Sequence, residues 1–411
     1  MTSNRTFVIV GASLAGAKAA ETLRTEGFDG RVVLIGDEAV RPYERPPLSK
    51  DYLRGEKGFD AAAVHDEKFY ETNSIELRTS TTVTALDTKR SEVNLGSGER
   101  TPYDRLLLAT GATPRRLSTP GAELAGVHYL RKITDADALR QTFTAGRRVV
   151  VIGAGWIGSE VAASARQLGA EVAVIEPAAV PLERVLGPEV GAVYRDLHIE
   201  HGVEMHFGVG VESIDGNATA ESVHLTDGTV LPAEAVVVGI GVTPRIELAE
   251  GAGLTLDNGI IVDERLATGT PGVYAAGDVA NAFHPLYGTR IRLEHWSAAL
   301  NQGPVAAMNM LGKPTAYDKV PYFFSDQYDL GMEYRGWAPT WDQVVFLGDP
   351  SSHQFIAFWL RDGRVVAAMN ANVWDAGDAL DALLRVRHPV EATRLADTDV
   401  DLADLAAHSP D

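Results

Sequence analysis

At 411 residues the chain exceeds one ordinary domain, which predicts two or three, each able to bury a core of its own. With 45% apolar and 23% charged residues it is not a disordered chain, and no apolar run reaches the ~18 residues of a membrane span. A net charge of -19 argues against a nucleic-acid partner. The absence of cysteine rules out disulfides, thiolate metal sites, dithiol redox centres and Cys-ligated iron-sulfur clusters, so any electrons must travel on a bound group.

The first predicted element is an apolar strand at residues 7–10, so early that a secretion signal has no room ahead of it, and the expected location is cytoplasmic. It runs into Gly11-Ala12-Ser13-Leu14-Ala15-Gly16, an Ala-rich helix stopped by Gly27, and a second strand at 31–35 that leads to Asp37. The same order returns later. A strand at 149–152 meets Gly153-Ala154-Gly155-Trp156-Ile157-Gly158, then come a helix stopped by Gly169 and a strand at 171–175 followed by Glu176.

In such a unit the first glycine permits the tight turn, the second lets backbone approach a pyrophosphate, and the third lets helix and strand pack closely. The free amides of the helix N-terminus face the phosphates, and the acid about 20 residues further on accepts from a ribose. The second copy is complete. The first has Ser13 at the middle position, where its side chain either crowds the pyrophosphate or donates to it. Two sites predict one tightly held and one exchanging dinucleotide. Two further strand–turn segments, Leu106-Leu107-Leu108-Ala109-Thr110-Gly111-Ala112 and Gly272-Val273-Tyr274-Ala275-Ala276-Gly277-Asp278, favour FAD at the first.

The segment Arg41-Pro42-Tyr43-Glu44-Arg45-Pro46-Pro47-Leu48-Ser49-Lys50 is the most specific in the chain, supported by Leu182-Glu183-Arg184-Val185 and Phe324-Ser325-Asp326-Gln327-Tyr328. Through these the sequence resembles the NADH-dependent ferredoxin reductases of bacterial cytochrome P450 and Rieske-type oxygenase systems, from about residue 5 to 390. The resemblance implies an α/β fold with two Rossmann-like dinucleotide-binding domains, of the glutathione-reductase-like kind, plus a C-terminal α/β domain. Residues 1–114 and 247–318 would bind FAD, 115–246 NAD, and 319–411 would form the C-terminal domain. It implies FAD and NADH as cofactors, with hydride passing from NADH to FAD and single electrons going on to a [2Fe-2S] ferredoxin that feeds an oxygenase. Rubredoxin as acceptor, or a redox-dependent interaction like that of apoptosis-inducing factor, are the alternatives.

Residue by residue, the resemblance implies that Gly11, Ser13, Leu14, Ala15 and Gly16 meet the FAD pyrophosphate and that Asp37 holds its ribose. Arg45, Pro47 and Lys50 would border the phosphates and the flavin, with Val83 at the adenine. Ala109, Thr110, Gly111, Arg131, Asp278, Glu294, His295 and Trp296 are further expected flavin contacts. For NAD the set is Gly153, Gly155, Trp156, Ile157, Gly158, Glu176, Arg184 and Gly241. Glu160 is expected near the nicotinamide, paired with Lys50, and these two are the candidate catalytic residues.

The crowded segment His198, Glu200, His201, Glu204 and His206 has no metal-ligand spacing and reads as a solvated helix end running into a strand. Arg290 with Arg292, Arg361 with Arg364, and Arg385 with Arg387 are candidate local positive patches for an acidic ferredoxin. Where relatives carry tryptophans before the Ser-Asp-Gln triplet this chain has Pro321-Tyr322-Phe323-Phe324, and Gly303-Pro304 stands where relatives tend to have basic residues.

Overall fold

Both apolar runs that precede a glycine turn become central strands of parallel sheets in the computed structural model, which describes residues 4–386 and 388–407. The chain divides into two units. The first takes in the chain up to Arg45, Phe59–Thr113 and Val242–Pro321. Its parallel sheet runs in the order Val273–Ala275, Arg105–Leu108, Thr6–Val10, Arg31–Ile35, Ile75–Arg78. Val8 pairs with Val33 on one side and Leu106 on the other, and both faces of the central strand are buried. That is why these strands read as continuous apolar runs rather than alternating ones.

The helix Leu14–Thr25 lies along the helix Trp296–Met310, and glycine sets how close they come. A Cβ on Gly303 would stand 2.3 Å from the Ala15 carbonyl oxygen. Two three-stranded sheets belong to the same unit, one from Val83–Asp87, Glu92–Leu95 and Arg100–Pro102, the other from Ile260–Val262, Ala280–His284 and Thr289–Ile291.

The second unit takes in Pro46–Gly58, Pro114–Gly241 and the chain from Tyr322. Its parallel sheet has the order Glu204–Phe207, Glu171–Glu176, Arg148–Ile152, Ala235–Val238, Val127–Tyr129. A separate antiparallel sheet has the order Tyr322–Gln327, Leu330–Gly336, Arg364–Ala371, Gln354–Arg361, Gln343–Asp349. Along Leu330–Gly336 every second residue is buried, so one face of this strand is covered more fully than the other. What covers it includes Leu186, Val190, Tyr194 and Leu197 of the helix Glu183–Glu200, packed with Phe323, Tyr334 and Trp359. That helix breaks at Gly187 (φ 79) ahead of Pro188, and the Leu186 carbonyl beside the break accepts the Trp359 Nε1–H at 3.0 Å. Among the described residues no helix is long and apolar enough to cross a membrane.

Candidate functional site

In the first unit the site grows from the turn after Val10. Gly11 adopts φ 117, and a Cβ there would lie 2.0 Å from the Ala109 carbonyl oxygen, so only glycine serves. Ser13 is the N-cap of the helix Leu14–Thr25, yet its side chain makes no capping hydrogen bond, which leaves the first-turn amides free of a side-chain cap. Gly277 donates its N–H to Gln302 Oε1 at 2.8 Å and packs on Ala15, where an added Cβ would be 3.3 Å from the alanine methyl. Asp278 is thereby brought beside the start of that helix.

Beyond the second strand, Asp37 faces Arg245, Oδ2 to Nη1 3.4 Å. Arg245 is anchored by its backbone: its N–H donates to the Gly111 carbonyl at 2.9 Å and its carbonyl accepts the Thr110 hydroxyl at 2.8 Å. The sequence carries no motif signal for Arg245, which falls just before the expected domain boundary at 246/247. Arg45 pairs with Glu38 at 2.6 Å and donates to the Tyr43 hydroxyl. Burial pushes His295 down to about 4 against the opposing charge of Asp278, so its ring is neutral near pH 7. Burial raises the Glu44 carboxyl, with Trp296 and Lys18 pulling the other way. Val83 begins its strand and packs against the first unit's core.

One candidate docking arginine is corrected here. Arg292 pairs with Glu294 at 2.6 Å and its side chain is only 9% exposed, so its charge is balanced within the unit. Arg290 is exposed, with Nη1 donating to the Val262 carbonyl at 2.6 Å. Arg361 and Arg364 do stand exposed, facing each other across a hairpin end. Arg385 ends the helix Gly377–Arg385, and Arg387 lies outside the described residues.

In the second unit Gly153 takes φ 98, and a Cβ on Gly158 would lie 1.9 Å from its carbonyl oxygen, the close helix–strand contact the pattern requires. A Cβ on Gly155, by contrast, meets nothing nearer than Gly239 O at 4.0 Å. That open face lies at the start of the helix Trp156–Gln167, which has no side-chain cap. Glu176 is clamped from behind: Oε2 accepts the Ala154 N–H at 2.7 Å and Oε1 the Ala178 N–H at 3.0 Å. Ile157 and Arg184 are exposed, as is Gly241 at φ 95. Pro47 lies in the tight turn Pro46–Ser49, and the Arg131 N–H donates to Asp135 at the start of the helix Ile133–Thr142.

Lys50 and Glu160 meet in the interior of the same unit, 6% and 4% exposed, with Nζ 2.9 Å from Oε1. The Ser49 hydroxyl donates to Oε2 at 2.5 Å and the Ser325 hydroxyl to Oε1 at 2.7 Å, and Nζ stands 5.1 Å over the Phe324 ring. Beside them burial raises the Asp326 carboxyl, with Lys50 pulling the other way. Ser49, Ser325 and Gln327 stand in the motifs that carry the resemblance, but the sequence analysis gives them no site role. The signal was present, since Ser325 and Gln327 alternate along one strand and so share a face.

His198 also corrects the sequence reading. It is 1% exposed, not solvated, with Nε2 2.9 Å from Gln327 Oε1. It falls four residues after Tyr194 on the buried stripe of its helix, whereas Glu200, His201 and Glu204 face outward and His206 pairs with Glu204.

The model of the pyridine nucleotide-disulphide oxidoreductase family matches residues 5–303. The chain belongs to this family. A second model, the reductase C-terminal module, matches residues 322–406. The ferredoxin–NAD(+) reductase component of the anthranilate 1,2-dioxygenase system of Burkholderia cepacia is 42% identical, over 96% of this chain and 98% of that protein. Putidaredoxin reductase of Pseudomonas putida is 37% identical over 99% and 98%, and the rubredoxin–NAD(+) reductase of the same species 35% over 92% and 99%. The crystal structure of a covalent putidaredoxin reductase–putidaredoxin complex superposes with a TM-score of 0.95 at 37% identity, covering 98% of this chain and 99% of that one. The chain is therefore an oxidoreductase of the ferredoxin–NAD(+) reductase branch, in which FAD and NAD(H) are the cofactors. Lacking cysteine, it cannot run the dithiol chemistry in the family's name.

The residues fit both groups. Each glycine turn leaves helix amides without a side-chain cap, suited to an anionic pyrophosphate, and each second strand leads to a carboxylate able to accept from ribose hydroxyls.

Proposed function

We propose that the chain takes reducing equivalents from NADH and delivers them to a small [2Fe-2S] ferredoxin that feeds an oxygenase in the cytoplasm. In this reading residues 1–114 and 247–318 hold FAD, 115–246 hold NADH, and 319–411 form the C-terminal domain. When bound, FAD supplies the conversion between a two-electron donor and a one-electron acceptor. The chain's own residues bind, orient and shield. Gly11, Ser13, Leu14, Ala15 and Gly16 receive the FAD pyrophosphate, Asp37 its ribose and Asp278 the ribitol. Ala109, Thr110, Gly111, Arg45, Val83, Glu294, His295 and Trp296 complete that pocket. Gly153, Gly155, Trp156, Ile157, Gly158, Glu176, Arg184 and Gly241 receive NADH.

One observation carries the reading: the buried Lys50–Glu160 pair, held by two serine hydroxyls, in the unit that contains the complete second glycine turn. A carboxylate and an ammonium fixed there orient a nicotinamide carboxamide without themselves taking or giving protons, which hydride transfer does not require. The test is anaerobic. The purified protein should be yellow, NADH should bleach it within seconds, and cytochrome c reduction should depend on added ferredoxin. A colourless protein that does not bind added FAD refutes the reading. Bleaching without ferredoxin-dependent turnover, or turnover with rubredoxin alone, refutes the acceptor.

A further inference from the structure

Behind Glu160 runs a line of buried polar side chains that reaches His198, on a different helix. The Ser325 hydroxyl lies 2.7 Å from Glu160 Oε1, and Gln327 Nε2 lies 3.3 Å from that hydroxyl oxygen. Gln327 Oε1 is 2.9 Å from His198 Nε2, and the Tyr328 hydroxyl is 3.3 Å from His198 Nδ1. Ser325, Gln327 and His198 are all at 1% exposure, so no bulk water competes for these bonds.

The donor sense of the line is set at its ends. Glu160 already balances Lys50 and accepts from Ser49, so as a carboxylate it can only accept. Ser325 has one proton and must give it either to Glu160 or back to Gln327. If Gln327 presents Nε2–H to Ser325, its Oε1 faces His198 and requires a proton on His198 Nε2, which leaves Nδ1 to accept from Tyr328. Every donor then points toward Glu160. If the histidine proton sits on Nδ1 instead, the amide reverses, Ser325 turns to the amide oxygen, and Glu160 loses one of its two hydroxyl donors. A neutral ring is the condition for this choice. Burial supplies it by pushing His198 down to about 4.

We propose that His198 is a positioning residue for Glu160: its Nε2–H tautomer orients Gln327, Gln327 orients the Ser325 hydroxyl, and Ser325 holds the Glu160 carboxylate against Lys50. This rests on the reading of Glu160 as the group that orients the nicotinamide. The tautomer part stands without it.

The experiment has two arms. In the first, long-range 15N–1H correlation spectra of the FAD-loaded protein without NADH report the His198 tautomer at pH 7. Neutral imidazole protonated at Nε2 is expected; a proton on Nδ1, or a charged ring, overturns the proposal. In the second, stopped-flow flavin reduction compares wild type, His198→Leu and His198→Gln. The leucine variant should reduce about tenfold more slowly at saturating NADH, the worth of one buried hydrogen bond. Its NADH Kd should stay within about twofold, and glutamine, which restores a side-chain N–H donor, should recover most of the rate. Equal losses in rate and affinity, or no recovery with glutamine, overturn it. If the leucine variant fails to retain FAD, the glutamine variant and the wild-type tautomer decide. A wild type that NADH does not reduce would refute the proposed function while leaving the first arm to judge the polarity of the line.

Discussion

Glu160→Leu should destabilise the second unit by about 3–5 kcal/mol, because it leaves the Lys50 ammonium buried without its counter-charge. The structure sets the size of the effect. The lysine and glutamate side chains are 8% and 5% exposed, so water cannot replace the lost carboxylate, and the Phe324 face at 5.1 Å offers only a partial substitute. The Ser49 and Ser325 hydroxyls lose their acceptor in the same substitution. Lys50→Met alone should cost less, about 2–3 kcal/mol, since the carboxylate keeps two hydroxyl donors. The double substitution removes both charges and should lie within about 2 kcal/mol of wild type, giving a coupling of at least about 3 kcal/mol. Hydrogen exchange of the strand Arg148–Ile152 in a urea series of FAD-loaded protein measures the unit directly, without assuming that the whole chain unfolds in one step. Single-variant costs below about 1 kcal/mol, or additive costs, would refute the claim that the pair is a buried, mutually dependent unit.

Glu176 should decide between NADH and NADPH. An added 2′-phosphate would meet its carboxylate, and Pro177, Ala178 and Ala179 supply no adjacent cation, so wild type should prefer NADH by about 30- to 1000-fold in kcat/KM. Glu176→Ala should weaken NADH, which steady-state kinetics with both cofactors will show; use of both within threefold by wild type refutes the assignment. His198 gives a pH signature. Its folded value near 4 lies below the ordinary 6.5, so the unfolded chain takes up the extra proton and stability falls as pH drops through 6.5 toward 4. Between pH 7.5 and 5 wild type should therefore lose about 2 kcal/mol more than His198→Gln in urea unfolding, and parallel pH curves would contradict the buried neutral ring. Finally, Arg361→Glu with Arg364→Glu should slow ferredoxin-dependent cytochrome c reduction severalfold at low salt while NADH–ferricyanide turnover stays constant. Equal losses in both assays would remove these arginines from docking.

What the sequence determined by itself was whatever depends on local stereochemistry and period. The two strand–glycine–helix units were legible because the tight turn, the backbone approach and the positive φ at Gly11 and Gly153 admit almost no other residue. Buried parallel strands were legible because both faces must be apolar, and the lack of cysteine closed off a whole branch of redox chemistry at once. The tertiary structure decided everything that hangs on which side chains meet across long separations. Arg245 reaches Asp37 only because backbone bonds to Thr110 and Gly111 hold it there. Arg292 looks like a free cation in a string of letters, but folding pairs it with Glu294 and leaves its side chain only 9% exposed. His198 looked solvated amid charged neighbours, and a rotation of one helical stripe put it in the core, bonded to a glutamine 129 residues away. Such contacts leave no local periodic trace, because a buried polar side chain takes whichever partner the packing of separate elements brings within hydrogen-bonding distance.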